Sequence, residues 1–423
     1  MTAEELSGWS EDFESFHARF AAVFARSQTQ THAAEYMRGM MTPLERKNGW
    51  HLAEQAGHQR PDALQRLLHR NAWSAEEARD LLLEFVIEDF GTSDAIGVLD
   101  ETGFLKKGTH SVGVQRQYSG TAGKVDNCQI GVFLGYVSGS THLLVDRRLY
   151  LPQSWSDVPE RCRAAAVPET VTHQTKSELA AEMLVHCWGR GLPMRWVTGD
   201  EVYGNARHLR QTIDSHGRLY VLAVCSTTTG WLERPPSVPA PRRGSGRRLR
   251  ADAPAAQTVA QMLESLPASA WKRLSLMRGE KGPRRYDWAA VRLVTAVAGL
   301  DSEELWLLAR RSIDSPEEIA YYLSNAPATT PIEDIARVAM QRYTIEQCFE
   351  ETKSELGIDH YEVRTWPSWH RHITLTMMAA AWLAHMRASY QKTEPSGGRS
   401  RTRGTDDRRS ASASGSRAAA AAP

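Results

Sequence analysis

Two apolar, partly alternating runs, Gln129 to Val137 and Thr141 to Tyr150, are separated only by Ser138-Gly139-Ser140. A period of two, broken by three small turn-forming residues, commits the middle of the chain to an antiparallel β-hairpin. The flanking segments narrow the fold further. Before the hairpin, Ala95-Ile-Gly-Val-Leu reads as a short buried strand ending at Asp100. After it, Lys176 to Gly189 reads as a helix and Met194 to Gly199 as a strand ending at Asp200. Asn205 to His216 follows as a helix and Leu219 to Val224 as a strand. Three strands, helix, strand, helix, strand predicts a mixed sheet with helices packed on it, an α/β layer.

Residues 1–90 carry no strand pattern and read as helical, with Phe13, Phe16, Phe20, Val23 and Phe24 at helical spacing. Leu52 to His58 and Pro61 to Leu68 form two short helices around Gly57, with Asp62 as the expected N-cap of the second. That pattern fits a helix-turn-helix that reads DNA and equally an ordinary helical hairpin. In residues 225–334 the regular alternation stops. A proline- and arginine-rich tract, Pro235 to Arg250, is followed by strand-like pieces at 273–278, 289–297 and 305–311. This predicts an inserted, largely β subdomain. A helix from Pro331 through Leu356 and an apolar helix over 373–388 return to the core, in a segment taken as 335–390. Residues 391–423 are Ser, Gly, Arg and Ala without periodicity and are expected to be disordered.

Composition excludes several classes. Lys and Arg total 51 against 50 Asp and Glu, so a uniformly basic DNA-coating protein is ruled out while local basic surfaces are not. The five cysteines nowhere form CxxC, so neither a disulfide framework nor a structural zinc site is expected, and a reducing cytosol suits the chain. The N-terminus lacks a signal-peptide pattern, and the longest apolar run, Ile373 to Ala384, falls short of the roughly 20 residues a bilayer requires. A soluble cytoplasmic protein without membrane contact is expected.

The chemistry centres on three acids. Asp100 and Asp200 each end a short apolar strand, where α/β folds place ligands, although Asp also caps turns there. On the helix Arg342-Tyr-Thr-Ile-Glu-Gln-Cys-Phe-Glu-Glu-Thr-Lys, residues Arg342, Glu346 and Lys353 fall within roughly 40° of one another. Ile345, Cys348, Phe349, Thr352 and Leu356 make the adjoining apolar stripe. The helix can therefore pack on a sheet while presenting one carboxylate between two cations. Carboxylates are the ligands Mg²⁺ or Mn²⁺ requires, and a pair of such ions suits phosphodiester chemistry.

Strand–Asp100, strand–Asp200 and Glu346 on a helix resemble the DDE triad of the RNase H-like transposases. Arg342, Glu346 and Lys353 match the spacing of the last three members of the YREK signature of IS4-related transposases; the tyrosine position is occupied by Ala339. Val98-Leu-Asp-Glu-Thr-Gly-Phe, Thr198-Gly-Asp-Glu-Val-Tyr-Gly and Gly357-Ile-Asp-His-Tyr-Glu-Val-Arg are similar to the IS701 family in particular. The resemblance implies an RNase H-like mixed sheet interrupted by a β-rich insertion and preceded by a helical DNA-binding region. It further implies that Asp100, Asp200 and Glu346 hold two Mg²⁺ or Mn²⁺ ions, with Asp100 shared, and that Arg342 and Lys353 contact DNA phosphate. The implied reaction is cut-and-paste transposition: cleavage at inverted-repeat ends, then strand transfer into target DNA, by a homodimer on paired ends in the nucleoid. The rival readings are a catalytically inactive DNA-binding relic and a metal-dependent nuclease without strand transfer.

Other residues offer alternatives. Glu101 and Glu201 follow the two aspartates and could serve as outer ligands, or simply point away. Arg242, Arg243, Arg247 and Arg248 could track a DNA backbone or lie in a solvated loop. Among the insertion's Trp231, Trp271, Trp288 and Trp306, Trp288 is the residue most suited to stack on an unpaired base, with core packing as the alternative. His370 and His372 fit packing or phosphate contact better than zinc.

Overall fold

The computed structural model describes residues 3–239, 247–249, 251–279, 282–295 and 304–393. Five helices come first: α1 (Ala3–Ala18), α2 (Ser27–Met40), α3 (Gly49–Gln55), α4 (Asp62–His69) and α5 (Ala75–Phe90). Their aromatic spacing has the expected result, since Phe16 packs edge-on against both Phe20 and Phe85 at 5.2 and 4.8 Å. Asp62 is the first helical residue of α4, and Pro61 holds the N-cap position. Asn48 caps α3 and Ser74 caps α5, each accepting backbone N–H groups that the helix leaves free.

The core follows as β1 (Ile96–Leu105), β2 (Gln115–Ser119), β3 (Lys124–Ser138) and β4 (Thr141–Leu149). Two short helices, α6 (Gln153–Ser156) and α7 (Pro159–Ala164), lead to α8 (Lys176–Gly189). Next come β5 (Trp196–Gly199), α9 (Glu201–Gly204), α10 (Arg207–Ser215) and β6 (Leu219–Val224). The expected β3–β4 hairpin is present and α8 begins at a Thr175/Glu178 capping box. In the sheet β3 lies antiparallel to β1, while β5 runs parallel to β1 and β6 parallel to β5. A hairpin on one side and two crossover strands on the other make the α/β, RNase H-like mixed sheet that was expected.

One expectation needs correction here. The first strand does not end at Asp100. It continues to Leu105 because residues 101–105 keep pairing with 128–132 of β3. The insertion is rich in strands and is built onto the core sheet. It contains β7 (Thr229–Trp231), β8 (Ser237–Pro239), β9 (Arg247–Leu249), β10 (Gln257–Thr258), α11 (Val259–Glu264), β11 (Lys272–Gly279), β12 (Gly282–Thr295), β13 (Glu304–Arg311) and β14 (Ile319–Ser324). Strand β14 pairs antiparallel with β6, so the insertion extends the core sheet to twelve strands.

The return to the core is made by α12 (Ile332–Met340), α13 (Arg342–Ser354) and α14 (Trp366–Thr393). The single helix expected from 331 to 356 is broken at Gln341. Helix α14 is buried on most sides: Trp369, Ile373, Leu375, Met378 and Ala379 are inaccessible to solvent. It joins the N-terminal helices to the core, with Arg371 donating to the Leu68 and Trp73 carbonyls and His372 Nδ1 2.9 Å from the Tyr36 hydroxyl. His370 and His372 are packing residues in this core, and burial lowers both imidazoles to a pKa of about 3. No described helix is long and apolar enough to cross a membrane. The tail from residue 394 onward lies outside the described residues.

Candidate functional site

The site forms where β1 and β5 run side by side. Their parallel register pairs Leu99 with Gly199, so Asp100 and Asp200 follow in adjacent strands at the same level. Across the other edge of β1, Asp100 pairs with Phe133 of β3, which places both side chains on one face of the sheet. Phe133 in turn meets Phe349 of α13 edge-on at 5.4 Å, and Ile345 lies against Gly135. The apolar stripe of α13 therefore packs on the face of the sheet that carries Asp100. Two residues along β1, Thr102 shares that face, and its hydroxyl accepts from Lys353 Nζ at 2.8 Å. Thr121 Oγ1 accepts from the same ammonium at 2.9 Å.

Arg342, at the first turn of α13, contacts one of the three acids and acts on the other two through its charge. It pairs with Glu346 at 3.3 Å, and its charge favours the ionised forms of Asp100 and Asp200. Burial works against the Arg342 charge, but Glu346 and Asp100 more than offset it and its pKa is raised. The aspartates are held by their backbones: Asp100 accepts from the Glu101 N–H at 2.8 Å and Asp200 from the Val202 N–H at 2.9 Å. Asp200 is thus also the N-cap of α9, so the capping role and the site position coincide. Among the described residues neither aspartate forms a salt bridge. Burial, followed by the charges of Glu101 and Asp200, pushes Asp100 up to about 7. Burial, followed by Glu101, raises Asp200 as well. Like charges gathered in a desolvated place, with one arginine to offset them, suit a cation.

The adjacent glutamates are engaged elsewhere. Glu101 accepts from Lys176 Nζ at 2.6 Å and from the Tyr203 hydroxyl at 2.7 Å. Glu201 accepts from the Cys225 thiol at 3.1 Å. Neither contact was foreseen, because Lys176, Tyr203 and Cys225 lie 24 to 102 residues away in sequence. A cationic cluster was also missed. The guanidiniums of Arg284, Arg310 and Arg342 lie 5.5, 5.4 and 4.9 Å from the centre of the Tyr343 ring. Strands β12 and β13 of the insertion deliver the first two, which no spacing rule within α13 could reveal.

Trp288 is a correction. It is fully buried and stacks on Tyr322 at 5.9 Å, so its face is not offered to a base. Its partners explain why: β12 is an interior strand, and Trp288 is on its covered face. Ala339 is buried in α12, on the far side of the break at Gln341 from Arg342. Arg247 and Arg248 lie on β9, paired with Pro239 and Val238 of β8, whereas Arg242 and Arg243 lie outside the described residues.

A family described as DDE superfamily endonuclease matches residues 19–283, more than half of the chain. The chain belongs to this family. The matched span contains Asp100 and Asp200 and stops before α13, which carries Glu346. The chain is also similar to a probable transposase for insertion sequence element IS701 from Microchaete diplosiphon, with 29% identity over 190 residues. That match covers 44% of this chain and 47% of the relative, about half the length of each. For a DDE endonuclease, the acids of β1 and β5 beside a helix bearing Arg342, Glu346 and Lys353 are the groups to weigh.

Proposed function

We propose that the protein is a DNA transposase that cuts at the ends of a mobile element and transfers the freed strands into target DNA. The observation that supports this most directly is the side-by-side placement of Asp100 and Asp200, with Asp100 pushed to about 7, under the charge of an Arg342 that is paired with Glu346. The donor set is all carboxylate oxygen, which fits Mg²⁺ or Mn²⁺. Asp100, Asp200 and Glu346 are the residues that would hold two such ions, Asp100 being shared. When bound, the ions would neutralise the acids and activate an oxygen nucleophile toward phosphorus.

The chain's own residues then have assigned tasks. Arg342 presents a planar guanidinium suited to two phosphate oxygens, and Lys353 adds a point charge held by Thr102 and Thr121. Arg284 and Arg310 extend that cationic surface along the path of the duplex. Glu101, held by the Lys176 ammonium and the Tyr203 hydroxyl, steadies the backbone N–H that Asp100 accepts from. A homodimer on paired ends, acting at the nucleoid, accounts for the need to cut two ends together.

The test is cleavage of a plasmid carrying the gene's own flanks, with Mg²⁺ or Mn²⁺, by wild type and by Asp200→Asn. Cutting at the flanks by wild type alone is the expected result. Flank-specific binding by both proteins without cutting would favour a DNA-binding relic. Cutting without joining to target DNA would favour a nuclease.

A further inference from the structure

A second group of metal-ligating side chains lies in the N-terminal helices, on residues the reaction does not use. We propose that His32, Glu35 and His58 form a binding site for a zinc-class divalent cation that clips the α3–α4 hairpin to α2. His32 and Glu35 stand three residues apart on α2 and so share one face of it. His58 arrives from the turn after α3. Gly57 there adopts φ +82°, and the His58 N–H donates to the Ala53 carbonyl, which fixes the turn against the helix end.

One ligand atom from each of the three side chains lies within 4.8 Å of the others. His58 Nε2 is 2.8 Å from Glu35 Oε2, and the His32 and His58 rings meet edge-on at 5.6 Å. Zinc bonds of about 2.0–2.2 Å put neighbouring donors roughly 3.3 Å apart, so small side-chain rotations close the set. The second observation concerns His32. It is 8% exposed, and its Nδ1 is buried without a hydrogen-bond partner. Buried polar atoms are normally satisfied, and a buried imidazole with an orphaned nitrogen, grouped with a carboxylate and a second imidazole, points to a ligand.

The chemistry selects the ion. Two imidazoles and one carboxylate leave a fourth position for water and suit Zn²⁺, whereas the all-oxygen centre on β1 and β5 suits Mg²⁺ or Mn²⁺. Burial lowers the His32 pKa, with Glu35 opposing, which keeps the ring in its ligating neutral form. On ion binding the His58–Glu35 hydrogen bond opens, and the His58 ring nitrogen and the carboxylate turn to the metal. The expectation of no structural zinc rested on cysteine spacing, which is blind to a His-Glu-His set.

The test titrates the full-length protein, freed of metal by chelation, with Zn²⁺ against a chromophoric chelator. One tight equivalent is expected, with a rise in melting temperature that Mg²⁺ does not produce. Glu35→Gln and His58→Ala should each lower zinc affinity by more than the roughly 10–100-fold typical of losing an outer-shell partner. Asp200→Asn should keep the equivalent in full. Should His58→Ala fail to fold, Co²⁺ bound to wild type decides instead. Intense visible bands of a four-coordinate ion, without a thiolate charge-transfer band, support the site. A thiolate band, an equivalent unaffected by Glu35→Gln, or no tight equivalent would overturn it.

Discussion

Replacing Asp100 by asparagine should make the metal-free protein more stable while destroying cleavage. The magnitude follows from the site's electrostatics. Burial beside Glu101 and Asp200 raises Asp100 from 3.8 to about 7, which corresponds to about 4 kcal/mol at 1.36 kcal/mol per unit. Because the residue keeps some solvent contact, about 2 kcal/mol is the working expectation. With an unfolding entropy of roughly 0.8 kcal/mol per degree for a chain of this size, that is a rise of about 2–3 °C. The pH dependence fixes the cause. An acid whose folded pKa is raised costs nothing below its unfolded pKa near 3.8; its cost grows as pH climbs and is complete above about 7. The gain from Asp100→Asn should therefore be full at pH 8, fall to about a third at pH 5, and vanish near pH 4. Calorimetry in chelator measures this directly, and added Mg²⁺ should shrink or reverse the difference by stabilising only the wild type. A variant no more stable than wild type at pH 8, or a gain that ignores pH, would refute the reading of Asp100 as a strained, cation-seeking carboxylate.

Three further outcomes are expected. His372, depressed from 6.5 to about 3 by burial, supports the fold above pH 6.5 and loses that support as pH falls toward 3, by about 2 kcal/mol at pH 5. Urea titrations should show the pH 7 to pH 5 stability drop reduced by that amount in His372→Gln. Gly204→Ala should destabilise by more than about 3 kcal/mol, because the added Cβ would lie 1.7 Å from the Ala223 carbonyl oxygen; circular-dichroism melts check it, and cleavage should fall with it since α9 carries Asp200 at its cap. Trp288→Phe should cost less than about 1.5 kcal/mol and leave end cleavage intact, while Trp288→Ala should cost about 3–5 kcal/mol. Selective loss of end processing by a stably folded Trp288→Phe would contradict its placement in the core.

The sequence was most legible where period and caps agreed. The β3–β4 hairpin, α8 and β6 stand where the sequence pattern put them, and a Thr175 cap starts α8. Legibility failed where tertiary pairing decided. Thr102-Gly-Phe after Asp100 stays in β1 only because β3 is there to receive it, and a carboxylate inside a strand looks like a terminator. Strand β2, Gln-Arg-Gln-Tyr-Ser, has no apolar alternation of its own and forms by pairing with 124–128 of β3. The break at Gln341 has no proline or glycine to announce it. At the site, Arg342, Glu346 and Lys353 could be grouped by helical angle, but Arg284 and Arg310, which join Arg342 around Tyr343, come from two strands of the insertion. The same holds for Glu101 with Lys176 and Tyr203, since contacts across the sheet carry no local pattern.

The pairing of β14 with β6 has a consequence for how such a chain can vary. Val221 to Val224 are laddered to Tyr321 to Ser324, one strand away from the strand that ends at Asp200. An insertion rooted in that way is a splint rather than an appendage. Excising it would leave β6 as a raw, apolar edge beside β5 and β1 and invite edge-to-edge aggregation. Length and composition are free to drift at the outer rim, where β11 and β12 turn back on each other, while the root must keep its register. Growth at the rim can therefore add new surface to the chain without disturbing the register beside Asp100 and Asp200.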